Sequence, residues 1–586
     1  MIKKLLSLIV ITLVLFTPSV AQQPKIFTQN AEKGREKDPR VRVYMPATRI
    51  VAQSDLSGKW VQKAEELLKE GNGQAELINK DLTVMKSTRE HQAFIVLDFG
   101  KEIHGGLQVV TGMMNTKDPA SVRIRLGESV SEVMADVDTL TGATNDHAMR
   151  DFNVELPWLG SIELGNSGFR FVRIDLLTPD LELLIKEIRA IFIYRDIPYL
   201  GSFKSNDERL NQIWETGAYT VHLNMQQYLW DGIKRDRLVW VGDMHPEVMT
   251  INTVFGYNDV VPKSLDLIRN VTPIPAWMNG ISSYSMWWII IHRDWYKYQG
   301  NLEYLKAQRS YLIALLKHLN SKVDGNKENL DGNRFLDWPS SENPKAIHAG
   351  LQAMMVMSLD AGAELCEILG DKQTAAQCRS TVKKLKLHVP EIAESKQAAA
   401  LMSMAGLINE KTADNFIAKD GVNGFSTFYG YYMLQAKAKA GNYQGAIDNI
   451  REYWGAMLDL GATTFWEDFN IEWLKNAGRI DEMPNEDKVD VHLCYGDYCY
   501  KKLRHSLAHG WASGPTAWLT EHVLGVSIEA PGSRVIKIRP NLGDLTVVEG
   551  TFPTPLGLVK IKHTKLPTGK IETIVEAPRG IKIIRE

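Results

Sequence analysis

Between Trp230 and Asp243 the chain gathers three carboxylates, three cations and two indoles in fourteen residues: Trp230, Asp231, Lys234, Arg235, Asp236, Arg237, Trp240 and Asp243. A helix that only had to be soluble would spread its charges at i, i+4 spacing around an apolar stripe. Flat indole faces beside carboxylates instead complement a sugar, which has an apolar face and a rim of hydroxyls. A charged connection held by its own salt bridges is the competing use of such a segment. A second cluster, Gly461 to Asp468, sets small residues ahead of Trp466, Glu467 and Asp468, which suits a loop where backbone meets ligand. Two carboxyl groups are the minimum for acid and base roles at a glycosidic bond, and either Glu467 or Asp468 could activate water. Asp236 lies between Arg235 and Arg237, which favours its ionised form. An acid there needs desolvation or a neighbouring carboxylate, and Glu247 stands just beyond the segment.

Thirteen of the fifteen tryptophans fall between residues 201 and 525. At least half belong to a core, but Trp230, Trp240, Trp338, Trp466 and Trp511 adjoin Asp231, Asp243, Asp337, Glu467 and His509. That pairing points to carbohydrate.

The elements that must position these residues change character along the chain. Residues 1–21 have a basic start, a short apolar run from Leu5 to Phe16 and small residues before Gln22, the pattern of an export signal. The expected location is periplasmic or extracellular. That run is too short for a membrane span, and no other stretch approaches twenty apolar residues. A polar arm is expected over 22–46. Period-two runs separated by Gly, Asn and Asp turns then predict a β-sandwich of the jelly-roll kind over 47–200, with one helical stretch near 59–69. Trp60 and Trp158 leave a lectin-like role open for it, with a structural spacer as the plainer use. From 201 to 526 the period becomes 3.6 and predicts about twelve helices, without a fixed sequence repeat. The spans run from the stripe Leu210, Ile213, Trp214, Val221 through 238–256, 261–270, 284–299, 302–321, 346–369 and 372–388. They continue over 397–407, 411–419, 426–440, 443–458 and 507–523. A dozen consecutive helices suggest a closed double ring of six hairpins, or a solenoid. Short strands return over 527–586 as a small β-domain.

Lys and Arg total 68 against 70 Asp and Glu, a net charge of −2, which gives no basic surface for nucleic acid or an anionic membrane. The four cysteines lack C-x-x-C spacing and have no histidines gathered around them, so no metal site is expected. Cys494 and Cys499 could close a small loop, and Cys366 and Cys378 lie in helical segments. No twelve-residue calcium loop is present.

Three segments together, Asp231 to Asp243, Gly461 to Glu467 and Ser506 to Trp511, resemble the motifs of the bacterial α-L-rhamnosidases of glycoside hydrolase family 78. The block Gly201 to Phe203 followed by Leu210 to Trp214 resembles the entry into that family's barrel. The resemblance implies a six-hairpin (α/α)6 catalytic barrel flanked by β-domains and an inverting glycosidase that needs no cofactor. Its substrate would be a glycan with terminal α-L-rhamnose. By position it implies Asp236 as general acid and Glu467 as base. Asp231, Arg235, Asp243 and His509 fall on sugar-binding positions, Trp240 and Trp466 on walls, and Asp337-Trp338 resembles another pocket segment. The family's acid is usually Glu, and Asp236 is one methylene shorter, about 1.5 Å less reach. Another sugar, such as a uronic acid paired with Arg235 and Arg237, and glycan binding without turnover are the alternative readings.

Overall fold

The computed structural model describes residues 38–78, 80–496 and 500–586. The expected export signal, most of the polar arm and Cys499, with its expected bridge to Cys494, lie outside the described residues. Cys366 and Cys378 are buried free thiols.

The chain opens on strands. Arg40–Pro46, expected to end a loose arm, is a strand paired antiparallel with Leu181–Arg195. Its Arg-Val alternation is itself a period-two pattern, concealed by the charges around it. Nine strands form one connected, wholly antiparallel sheet over the region expected to be a β-sandwich. Phe94–Thr111 is the hub: it pairs with Gly160–Leu176 along most of its length, with Arg49–Gln53 at one end and with Leu181–Arg195 at the other. Register breaks between Asp98 and Ile103 and between Gly105 and Leu107 bend it. Gly105 permits the close approach, since a Cβ there would lie 1.8 Å from the Ile191 carbonyl oxygen. Both halves of the bent strands feed one apolar core that includes Leu97, Val109, Val122, Ile174 and Ile188, with Trp60 and Trp158 packed at its margin. The helical stretch expected near 59–69 is a single 3₁₀ turn, Ala64–Leu68.

Helices follow from Glu208–Asn224 onward, and most begin at a side chain that caps the free backbone N–H groups of the first turn. Asp207, Asn301, Asn343, Asp371, Ser395, Asn409 and Asn442 each do so. Successive helices pack in pairs, and the first, Glu208–Asn224, also contacts the late helices Tyr443–Asp459 and Gly514–Trp518. Two expected helices are cut short. The one predicted from 238 starts only at Met244, because the preceding residues form the irregular 231–243 loop. The one predicted over 507–523 is a 3₁₀ turn, a short α-helix and a π turn in series, as Gly510, Gly514 and Pro515 interrupt a regular ladder. No described helix is long and apolar enough to cross a membrane.

The C-terminal strands form two sheets. Val526–Ala530, Val535–Ile538 and Lys582–Arg585 make one, and Val547–Thr554, Gly557–Lys565 and Ile571–Glu576 make most of the other. The second is completed by Ser202–Ser205, which lies on the helical side of the expected boundary and pairs with Val547–Thr554. Val548, Phe552 and Ile561 belong to the same buried cluster as Trp214, Trp287 and Trp454 of the helical region. The C-terminal strands therefore close the helical core instead of forming a separate one.

Candidate active site

The 231–243 loop is irregular and held at many points. Leu238 N–H donates to Asp231 Oδ1 at 3.0 Å, and the Asp231 carbonyl accepts from Gly510 N–H and Asn224 Nδ2. Asp236 and Arg237 both have left-handed backbones, φ 48° and 55°, a conformation that non-glycine residues hold only when their surroundings enforce it. The surroundings here are explicit. Arg237 donates to the carbonyls of Asn166 and His147, and Trp240 Nε1 donates to Asp236 Oδ2 at 3.1 Å. Tyr284 hydroxyl, from the helix Ser282–Gln299, donates to Asp243 Oδ1 at 2.6 Å.

Glu467 stands opposite. Arg235 Nη2 donates to both of its carboxylate oxygens, at 2.8 and 3.0 Å, while Nη1 of the same guanidinium lies 3.5 Å from Asp236 Oδ1. One cation thus separates the two carboxylates. Ser506 N–H adds a bond to Glu467 Oε2, and the Glu467 carbonyl accepts from Thr427 Oγ1 and Trp511 Nε1. His509 places Nε2 3.7 Å from Asp231, 3.8 Å from Asp243 and 3.9 Å from Glu467.

These groups border a cavity of about 290 Å³ whose lining includes Asp231, Asp236, Trp240, Asp243, Trp338, Glu467, His509 and Trp511. The volume suits a small ring, and its aromatic walls beside carboxylates can receive one apolar face and several hydroxyls. Burial, reinforced by the repulsion of Asp236 and then of Asp243, pushes Asp231 well above the usual carboxylate range. Asp243 is also pushed well above it, mainly by burial. Glu467 is raised by burial too, against the opposing pull of Arg235 and the Ser506 N–H. His509 is driven well below the usual imidazole range by burial, then by Arg235 and His505, so it faces the cavity neutral.

Four expected contacts are placed elsewhere. Trp466 is buried in the core, its ring edge-on to Phe469. Asp337 accepts from Ser426 Oγ and Ser340 N–H and fastens a loop, while its neighbour Trp338 reaches the cavity. Arg235 lies behind the lining, under Glu467. Trp230 packs edge-on to His104 of the N-terminal sheet. Sequence reasoning missed Tyr284, Arg334, Phe335 and Tyr500, which line the cavity, and His147, which touches Asp236. Arg334 and Phe335 were the accessible ones, since they precede Asp337-Trp338 by a few residues.

Behind the loop, Glu128, Glu132 and His492 converge closely enough to suggest a metal site. Lys234 Nζ lies 3.0 Å from Glu128 and 3.3 Å from Glu132, and Arg150 pairs with Glu132. The two cations already balance the two carboxylates, so the donor set does not fit a divalent ion.

Comparison with known proteins bears on this arrangement. The model of the bacterial α-L-rhamnosidase six-hairpin glycosidase domain matches residues 198–523. Among solved structures, the chain is similar to a GH78 family rhamnosidase of Bacillus sp. GL1, at 21% identity over 87% of this chain and 55% of that one, with a TM-score of 0.71. It is also similar to an α-L-rhamnosidase from Dictyoglumus thermophilum, at 18% identity over 84% and 56%, with a TM-score of 0.66. A rhamnosidase from Klebsiella oxytoca with rhamnose bound gives 18% identity over 85% of this chain and 98% of that one, with a TM-score of 0.66. At these identities the likeness is one of fold, and the chain spans little more than half the length of the first two. No curated protein matches the chain.

Proposed function

The chain belongs to the bacterial α-L-rhamnosidase six-hairpin glycosidase family, and from that premise we propose that it is an exported inverting glycosidase releasing terminal α-L-rhamnose from glycans. The helices would close as an (α/α)6 ring, in keeping with the contact between the first helix and the late ones. Asp236 would give its proton to the leaving glycosidic oxygen as the bond to the anomeric carbon breaks. Glu467 would take a proton from the water that attacks the opposite face. Trp240, Trp338 and Trp511 would hold the ring, and Asp231, Asp243 and His509 its hydroxyls.

One observation favours a neutral sugar over a uronic acid. Arg235 is committed to Glu467, and Arg237 to the Asn166 and His147 carbonyls. Arg334, which does line the cavity, forms two bonds to the buried Glu328 carboxylate. No described cation on the lining is left to pair with a sugar carboxylate.

The test is turnover of an aryl α-L-rhamnoside by the wild type, Asp236→Asn and Glu467→Gln. Each substitution should lower kcat on the order of a hundredfold to ten-thousandfold, and the first product formed should be the inverted anomer by NMR. Full activity of Asp236→Asn would remove it as the acid. A retained anomer would exclude inversion, and rhamnose binding without release would make the protein a glycan-binding one. Export is supported by the signal pattern of residues 1–21, and cell fractionation checks it.

A further inference from the structure

Behind the active site lies a second cavity, of about 390 Å³, between the helices and the C-terminal strands. The helix Ser282–Gln299 runs past both: Tyr284 lines the front cavity, and Asp294 and Tyr298 line the rear one. Tyr284 and Asp294 are about 15 Å apart along its axis at the helical rise. His245, two residues beyond Asp243, belongs to the rear lining and stacks on the buried Trp287 and Tyr432, which part the two cavities. The rear lining has what the front one lacks, cations without partners. Neither Lys297 nor Arg539 uses its side chain to bond or pair with another described residue. Arg539 is exposed and Lys297 half-buried, so the cavity is open to solvent where they stand. The acids on the lining do not cancel them. Arg293 donates two bonds to Asp294, at 2.8 and 3.0 Å, which makes that pair neutral. Glu521 is pushed up to about 7 by burial and is uncharged below that.

We propose that the rear cavity is a second sugar site, for a monosaccharide that carries a carboxylate: Lys297 and Arg539 pair with the carboxylate, and the half-buried Tyr443 on the same lining receives the pyranose face. The cavity is larger than the front one and has room for one ring. Binding there is independent of which glycoside is cleaved in front. An ionised Glu521 would repel the ligand, so affinity follows its protonation. The groups that share the cavity with it are Asp294, the cations Arg293, Lys297, Lys537 and Arg539, the hydroxyls of Tyr298 and Tyr431, and His245. His522, beside it in the chain, is kept neutral by burial, which lowers it to about 4.

The deciding experiment is isothermal titration of the full chain with D-galacturonate and D-glucuronate, against D-galactose and D-glucose, which lack only the carboxylate. The uronates should bind, and the neutral sugars should bind about tenfold more weakly or less. The double variant Lys297→Ala, Arg539→Ala should weaken uronate binding about ten- to a hundredfold. Its Tm and its turnover of an aryl α-L-rhamnoside should stay as in wild type, because neither side chain has a partner to lose. Trp240→Ala, in the front cavity, should leave uronate binding unchanged. From pH 6 to pH 8 the ionisation of Glu521 should weaken binding about tenfold, and Glu521→Gln should remove that loss. Uronate binding lost in Trp240→Ala and kept in the double variant would place the ligand in front and overturn the proposal. Equal affinity for uronates and neutral sugars, acetate binding as tightly as the uronates, or no uronate binding at millimolar concentration would each overturn it as well. An enzyme inactive on every rhamnoside that still binds uronates as expected overturns only the reading of the front cavity.

Discussion

Lys234 belongs to the charge-dense loop but does not line the cavity. Its ammonium is buried between Glu128 and Glu132 and donates also to the carbonyls of Leu503 and His505. Burial pulls it down to about 8, so it stays mostly charged near neutrality. Glu128 also receives the Leu507 N–H, and Ser506 beside it donates to Glu467. Removing one partner of a buried ionic network leaves the others uncompensated, and Lys234→Met should therefore destabilise the protein by about 3–5 kcal/mol in urea unfolding. A loss under about 1 kcal/mol would mean that solvent reaches the two glutamates. Sequence alone identified the charge-dense loop but not which charges face a ligand. Asp231, Asp236 and Asp243 line the cavity while Arg235, Arg237 and Lys234 turn away, a division made by partners on distant segments. Trp466 shows the same limit, because whether a loop tryptophan walls a cavity or joins the core depends on which neighbour fills the space behind it.

The helices were the most legible elements, since an apolar stripe at period 3.6 and an Asp, Asn or Ser cap are local signals. Leu302–Ser321 and Tyr443–Asp459 match the predicted spans to within a residue at each end. Asp207 shows what a cap does here. Its side chain accepts from Arg209 and Leu210 N–H and pairs with Arg451 at 2.7 Å, tying the first helix to the late helix Tyr443–Asp459. Asp207→Ala should cost about 1–2 kcal/mol by thermal or denaturant melts; Asp207→Asn, which keeps the cap and loses the ion pair, should cost less. Equal costs would assign the effect to the pair. Short strands were less legible. Val526–Ala530 and Ser202–Ser205 each carry too few residues for a period, and their partners are decided by contacts across the molecule.

At the scale of the whole molecule, the helical core and the C-terminal strands are one body, and a buried acid at the seam makes its stability depend on pH. Glu521 accepts from Gln435 Nε2 at 2.6 Å and lies within 3.5 Å of the Tyr298 and Tyr431 hydroxyls, and burial pushes it up to about 7 from 4.5. A carboxyl raised on folding favours the protonated native state. The stabilisation is complete below the unfolded value near 4.5 and is lost as pH rises through about 7, on the order of 3 kcal/mol in all. Glu521→Gln should flatten the stability difference between pH 5 and pH 8, and an unchanged slope would place the titration elsewhere. By itself the sequence determined the order of strands, helices and strands, the gathering of carboxylates and indoles in the 231–243 and 461–468 segments, and the family. Periodicity, capping and residue type are local properties, and they suffice for that. Only the tertiary structure decided that His147, Glu128 and Arg170 of the N-terminal sheet reach Asp236, Ser506 and Gly461, and that Tyr284, Arg334 and Tyr500 complete the cavity. Those contacts join residues up to several hundred positions apart, and no local pattern encodes which surfaces meet when separate apolar faces are buried together.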